Sequence, residues 1–245
     1  MKSQYLVSCE LLRENIKDDS IYPFTLDAVK NLDELEFHEN VTFLVWENGS
    51  GKSTLIEALA VWLRFNPEWG SKNINFSTQA THSELSEHLR IAKWVVMPRD
   101  GYFLRAESFY NVASNIDQLE SEQPGIQANY GWKSLHEQSH WESFLSLFMH
   151  RLVWNGLYIL DEPEAALSPQ RQLALLVRVN ELVKQKSQFV IATHSPILLA
   201  YPNAKIIQIS KNWFEEVGYK DTDHFDLYKT FLNNPEYMLK KLGID

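Results

Sequence analysis

Glycine is scarce in this chain. There are 9 glycines in 245 residues, roughly half the ~7 % usual in globular proteins. Tryptophan, normally much the rarer, is almost as common at 8. Cysteine is nearly missing. Cys9 stands alone, which excludes an internal disulfide and suits a reducing cytoplasm, the expected location. No stretch approaches the ~20 apolar residues of a membrane span, and the first residues lack the apolar core of a signal peptide. If the chain serves a transporter, another chain must carry the membrane part. Basic residues are outnumbered, with 23 Lys and Arg against 32 Asp and Glu, for a net charge of −9. That removes any general attraction to nucleic acid or an anionic membrane and leaves only a local basic groove open. There is no internal repeat and no low-complexity tract. What remains is a chain long enough for one sizeable α/β domain.

The most informative stretch is 41–59. An apolar run, Val41 to Trp46, reads as a buried strand. A loop of small and polar residues follows, Glu47, Asn48, Gly49, Ser50 and Gly51, and then a helical pattern opened by Lys52, Ser53 and Thr54. Strand, glycine loop and helix in that order make a phosphate-binding loop. Gly49 and Gly51 let successive N–H groups turn inward, and the helix N-terminus favours an anion. Lys52 is expected to reach the outer phosphates of ATP, and the Ser53 hydroxyl to ligate Mg²⁺. One letter departs from the pattern. Its first glycine falls at a position that here is Trp46, and an indole there should crowd the turn from strand to loop.

Two later strands end in polar residues. Residues 157–160 run apolar into Asp161 and Glu162, the mark of a buried parallel strand presenting carboxylates at its C-terminal edge. Asp161 is expected in the Mg²⁺ shell and Glu162 on the attacking water. Residues 189–192 run into Thr193, His194 and Ser195, where His194 can sense a γ-phosphate. A lone Asp-Glu pair is often a solvated turn, and a lone His is more often structural. Their spacing from the glycine loop and from each other favours the functional reading.

The remaining elements are read from periodicity. Residues 4–12 and 35–45 are expected as strands of one opening sheet. A helix spans about 51–64 with Leu55, Ile56, Leu59 and Leu63 on its apolar face. Residues 83–91 read as helical, 94–97 as a strand, 98–101 as a turn, and 102–110 as leading into a helix. Ser139 with Glu142 matches a capping box before a helix. Ser168 and Pro169 open another, running to about Lys186. A hairpin follows, over 205–210 and 214–217, and the last helix is near 235–242.

Taken together, these segments resemble an ATP-binding cassette ATPase of the type grouped as bacterial "AAA family ATPases", relatives of RecF and SMC proteins. The resemblance rests on residues 48–54, 103–109, 134–140, 160–169 and 192–196 and covers nearly the whole chain. It implies a P-loop NTPase fold with a mainly parallel central sheet, flanking helices and an inserted helical subdomain. Residues 1–245 would form one domain, with 1–70 and 151–245 as the sheet core and 71–150 as the insertion. It implies ATP and Mg²⁺ as cofactors and an ATP-dependent head-to-tail homodimer, with an additional protein partner open. Ser139 and Glu142 would form the edge that contacts the other subunit's nucleotide. The glutamine that links nucleotide to the insertion is not evident; Gln79 or Glu107 would stand in.

The departures share a pattern. Trp46 and Trp141 stand where the family has glycine, and Trp69, Trp94, Trp132, Trp154 and Trp213 fall at or beside positions where glycine is expected. These tryptophans are expected to be UGA codons that the organism reads as glycine. If they are genuine, the chain is instead a degenerate cassette that binds or scaffolds without turnover. A third reading keeps the ATPase and makes it a subunit of a DNA-repair, phage-defence or toxin-linked machine.

Overall fold

The computed structural model describes residues 4–46, 51–66, 69–70, 84–106, 147–210 and 214–244. Glu47, Asn48, Gly49, Ser50, Gln79, Glu107, Trp132, Ser139, Trp141, Glu142 and Trp213 lie outside the described residues. Among the described residues ten strands run β1 Leu6–Leu11, β2 Glu34–Glu36, β3 Val41–Trp46, β4 Trp69–Gly70, β5 Leu89–Lys93, β6 Asp100–Arg105, β7 Gly156–Asp161, β8 Gln188–Ala192, β9 Lys205–Ile209 and β10 Phe214–Glu216. The α-helices are α1 Asp27–Lys30, α2 Lys52–Trp62, α3 Pro169–Lys184, α4 Pro196–Leu199, α5 Asp223–Asn233 and α6 Pro235–Lys241.

Seven strands form the large sheet, in the order β10-β9-β3-β8-β7-β6-β4. The five central strands pair in parallel. Only the outer pairings, β10 with β9 and β4 with β6, are antiparallel. Strands β3, β7 and β8 are buried along their whole length, as expected of parallel strands covered on both faces. The side-chain period of two decides which layer each residue joins. Val41, Phe43 and Val45 of β3 pack with Leu175, Val179 and Leu182 of α3. Leu44 and Trp46 pack on the opposite face with Leu55, Ile56 and Leu59 of α2.

A second, antiparallel sheet of order β2-β1-β5 covers α2 from outside. Gln188, fully buried, joins the two sheets. Its Oε1 accepts from Tyr5 N and Leu6 N, both at 2.8 Å. Its Nε2 donates to Leu6 O at 2.8 Å and His38 O at 2.9 Å. Four bonds satisfy a side chain that would otherwise be costly to bury.

Several local expectations are corrected. The apolar stretch 35–45 is not one strand: β2 and β3 lie in different sheets, separated by a bend. Residues 84–88 make a 3₁₀ turn, and 89–93 are strand rather than helix. The signal was there, since buried Leu89 and Ile91 flank exposed Arg90, a period of two. Trp94–Met97 is not a strand, and Val95 is 92 % exposed. The turn expected over 98–101 ends earlier, because Asp100 already pairs with Gly156 in β6. Residues 101–104 are all buried, and a continuous apolar run does not separate a buried strand from a helix. Strands β5 and β6 therefore draw part of the expected insertion into the two sheets. The helix over 169–184, the strands at 157–161 and 188–192, and the 205–216 hairpin form as read. Helix α5 was not anticipated. Its start is set by buried Thr222, whose hydroxyl accepts from Phe225 N and donates to Tyr219 O at 2.9 Å.

Candidate functional site

The C-terminal ends of β3, β6, β7 and β8 lie along one edge of the large sheet. Beyond the strands the pairing continues for one step: Glu162 N donates to Ala192 O at 2.9 Å, and Thr193 N to Leu44 O at 3.2 Å. Residues far apart in sequence thereby reach one crevice.

Helix α2 starts there. Gly51 sits just before it with φ +96°, a left-handed conformation that a side chain disfavours. A Cβ at that position would also lie 2.7 Å from Leu26 Cβ. Backbone shape and packing both require glycine here. Lys52 follows and is buried. Its ammonium contacts the Glu162 carboxylate and lies 2.7 Å from His194 Nε2. His194 Nε2 is 3.3 Å from Glu162 Oε1. Glu162 holds φ +50° without being glycine, a strained conformation of the kind that clusters at functional sites. Glu164 Oε1 accepts from His194 N at 2.6 Å and fixes where the imidazole begins.

Asp161 lies on the next turn of the crevice, its side chain 3 % exposed. Arg105, at the end of β6, donates from Nε to Asp161 Oδ2 at 3.1 Å. Its Nη2 donates to Ser53 O at 3.2 Å and to Glu57 Oε2 at 3.3 Å. One guanidinium thus ties the start of α2 to the acid of β7. Asp161 Oδ1 is buried and has no hydrogen-bond partner among the described residues. A buried carboxylate oxygen left open is what a divalent cation would use. Ser53 is exposed beside it. Among the described residues no group of three or more His, Cys, Asp and Glu forms a cage of its own. A Mg²⁺ held by one carboxylate, one hydroxyl and substrate phosphates fits these residues.

Comparison with known proteins concerns the fold. The structure of cbiO1 from Clostridium perfringens, part of the ABC transporter complex cbiONQ, superposes with a TM-score of 0.53 and 18 % identity, over 96 % of this chain and 97 % of that one. The fold is that of an ATP-binding cassette ATPase. Residues 143–200 match a family model described as "AAA domain, putative AbiEii toxin, Type IV TA system". A protein of Pyrococcus furiosus, described as a "Putative ABC transporter ATP-binding protein", is 28 % identical over 236 residues, 89 % of this chain and 87 % of the relative. The SMC head domain from Thermotoga maritima aligns at TM-score 0.45 and 15 % identity, over 87 % of this chain and 98 % of that one. No helix among the described residues is long and apolar enough to cross a membrane.

Of the residues expected at the site, Gly51, Lys52, Ser53, Thr54, Asp161, Glu162 and His194 share this edge. Thr54 Oγ1 lies 3.3 Å from the Tyr22 hydroxyl. Two participants were missed. Arg105 falls in a segment read as leading into a helix, so its place at a strand end was hidden. His224 lies 30 residues beyond His194, in a helix not expected at all, yet its Nε2 is 3.0 Å from His194 Nδ1. Trp46 does not stand in the loop. It ends β3 at 2 % exposure and packs in the core, while its indole N–H has no partner among the described residues.

The two imidazoles carry a pH signature. Burial first, then the Lys52 charge and His224, push His194 down to about 4 from the usual 6.5. Burial also lowers His224, against the raising effect of Asp223. Both are neutral in the fold at pH 7. As pH falls from 6.5 toward 4, the unfolded chain takes up protons that the folded chain refuses. Stability should therefore fall over that window. Denaturant unfolding at pH 7 and pH 5 measures the slope, and His194→Gln should flatten it.

Proposed function

We propose that the chain binds ATP with Mg²⁺ at this crevice and hydrolyses it, two copies closing head to tail around the nucleotide. The observation that carries the reading is the mutual contact of Lys52, Glu162 and His194, delivered by three separate segments. Without nucleotide, Lys52 rests on Glu162. An incoming polyphosphate offers Lys52 a stronger acceptor and frees Glu162 to orient a water. Ser53 and Asp161 would hold Mg²⁺, which neutralises charge on the transferred phosphoryl group. The N–H groups of 47–51 would cradle phosphate oxygens. His194 Nε2 would donate to the terminal phosphate. Ser139 and Glu142 would supply the edge that meets the other copy. The description of the matched family names a toxin–antitoxin system, which favours a toxin-linked defence machine as the setting.

A second reading concerns the tryptophans. Buried Trp usually finds a partner for its N–H, but Trp46 has none among the described residues. Trp94 and Trp154 are each 46 % exposed, unlike core aromatics. These observations support glycine as the residue that the cell inserts. If the tryptophans are genuine, the cassette is a degenerate binding module. Calorimetric titration with Mg²⁺–ATP separates the readings. The doubly substituted protein, Trp46→Gly with Trp141→Gly, should bind ATP and dimerise by light scattering, while the Trp form should bind at least about tenfold more weakly. Failure of the doubly substituted protein to bind ATP would defeat the ATPase reading. UGG codons at these positions in the gene would defeat the reassignment.

A further inference from the structure

His194 is the second member of a chain of three nitrogen groups. Its Nε2 faces the Lys52 ammonium at 2.7 Å, and its Nδ1 faces His224 Nε2 at 3.0 Å. An ammonium only donates. The ammonium at 2.7 Å is nearer to His194 Nε2 than Glu162 Oε1 at 3.3 Å, so Nε2 accepts and the proton sits on Nδ1. That proton is donated to His224 Nε2, which must be bare, so the His224 proton sits on Nδ1. His224 Nδ1 is buried with no partner among the described residues. The nucleotide-free chain of donors thus ends on a buried, unanswered N–H, a costly arrangement.

A terminal phosphate oxygen has the opposite demand. It only accepts, so His194 Nε2 must carry the proton. His194 Nδ1 is then bare and accepts from His224 Nε2–H, and His224 Nδ1 becomes bare as well. An unfilled acceptor is better tolerated than an unanswered donor. Each ring keeps one proton throughout, so the pair changes direction without changing charge. The remaining charged groups about the pair are Glu162 against His194 Nε2, Glu164 on the His194 backbone N–H, and Asp223 beside His224. The depressed basicity of both rings keeps them neutral at pH 7, as this exchange requires.

We infer that His224 is a positioning residue that answers both tautomers of His194, accepting from Nδ1 while Lys52 occupies Nε2 and donating to Nδ1 once Nε2 turns to a terminal phosphate, so that the pair follows the presence of that phosphate by reversing the direction of its hydrogen bonds. Its own place is firm. Thr222 caps α5 two residues earlier, and Gln208 Nε2 donates to the neighbouring Asp223 carboxylate at 2.9 Å. The His194 and His224 rings lie 5.1 Å apart, tilted by 45°. The inference deepens the proposed ATPase and rests on that reading for the identity of the phosphate. The hydrogen-bond direction in the nucleotide-free protein does not depend on it.

The test is nuclear magnetic resonance of protein carrying ¹⁵N-labelled histidine, with His194→Gln used to assign the His194 signals. Nucleotide-free native protein should show His194 protonated on Nδ1. Saturating Mg²⁺ with β,γ-imido-ATP should move the proton to Nε2, and ADP should not. In His224→Phe, Lys52 should still leave the nucleotide-free proton on His194 Nδ1, but that proton should lose its downfield hydrogen-bonded shift, and the move to Nε2 with the analogue should be incomplete. Affinity for the ATP analogue should then drop about tenfold, the loss of one charge-assisted hydrogen bond, with ADP affinity unchanged. His224→Gln, whose amide can donate or accept, should recover most of that loss and guards against a folding defect. The inference is overturned if His194 keeps one tautomer with and without the analogue. It is equally overturned if His224→Phe preserves the native Nδ1 proton shift in the nucleotide-free protein. Should native protein bind no ATP analogue, the ATPase reading fails by itself, and the nucleotide-free spectra still decide the role of His224.

Discussion

Glu162→Gln is expected to slow ATP turnover by roughly 10²–10⁴-fold, the usual contribution of a positioned acid or base, with ATP binding retained. The amide keeps the size of the side chain but cannot take a proton from water. It also removes the negative charge that holds Lys52 in the nucleotide-free crevice. Lys52 is then released to the phosphates at lower cost, so ATP affinity should stay level or rise. Closed dimers should accumulate with ATP, visible by light scattering and lost on exchange into ADP. Purification of partners on the ATP-trapped variant, against the nucleotide-free protein, would identify what the cassette drives. Single-turnover hydrolysis reads the chemical step directly. A fall of less than about fivefold, far below the range for a catalytic base, would assign the work to another group.

Arg105→Ala should produce the largest change in stability. Arg105 is the cation that pairs with Asp161, whose side chain is 3 % exposed. Removing one partner of a buried pair costs about 3 kcal/mol or more. For a domain of this length that corresponds to a melting temperature lower by roughly 6–12 °C. Because Asp161 is also the proposed metal ligand, a second result follows. Mg²⁺–ATP would bring positive charge to the orphaned carboxylate, so it should raise the melting temperature of the variant more than that of the native protein. Arg105→Lys, which keeps a charge but not the forked geometry, should fall between them. Equal stabilisation of both proteins by Mg²⁺–ATP would mean that the metal does not sit at Asp161.

The parts of the site readable from sequence are those whose chemistry depends on neighbours in the chain. Lys52 and Ser53 follow a strand and a small-residue loop. Asp161 and Glu162 end an apolar run, and His194 ends another one helix later. Such segments have one plausible local structure each, and parallel pairing brings their ends to one edge. Arg105 and His224 were invisible for different reasons. Residues 101–104 form an unbroken apolar run, which periodicity cannot divide between strand and helix. Helix α5 has no fully buried side chain, and nothing in its sequence points His224 at a histidine 30 residues earlier. Trp46 was read from its place in a motif, whereas its burial follows from β3 being covered on both faces.

The sequence by itself determined the class of fold and the segments that deliver Lys52, Asp161, Glu162 and His194 to one sheet edge, because strand–loop–helix order and apolar runs are local properties of the chain. The tertiary structure alone decided that β2 and β3 part into two sheets, that Arg105 grips Asp161 and Ser53, and that His224 stands behind His194. Those contacts join residues 30 to 56 positions apart. They depend on how twisted layers pack, a relation that no spacing in one segment encodes.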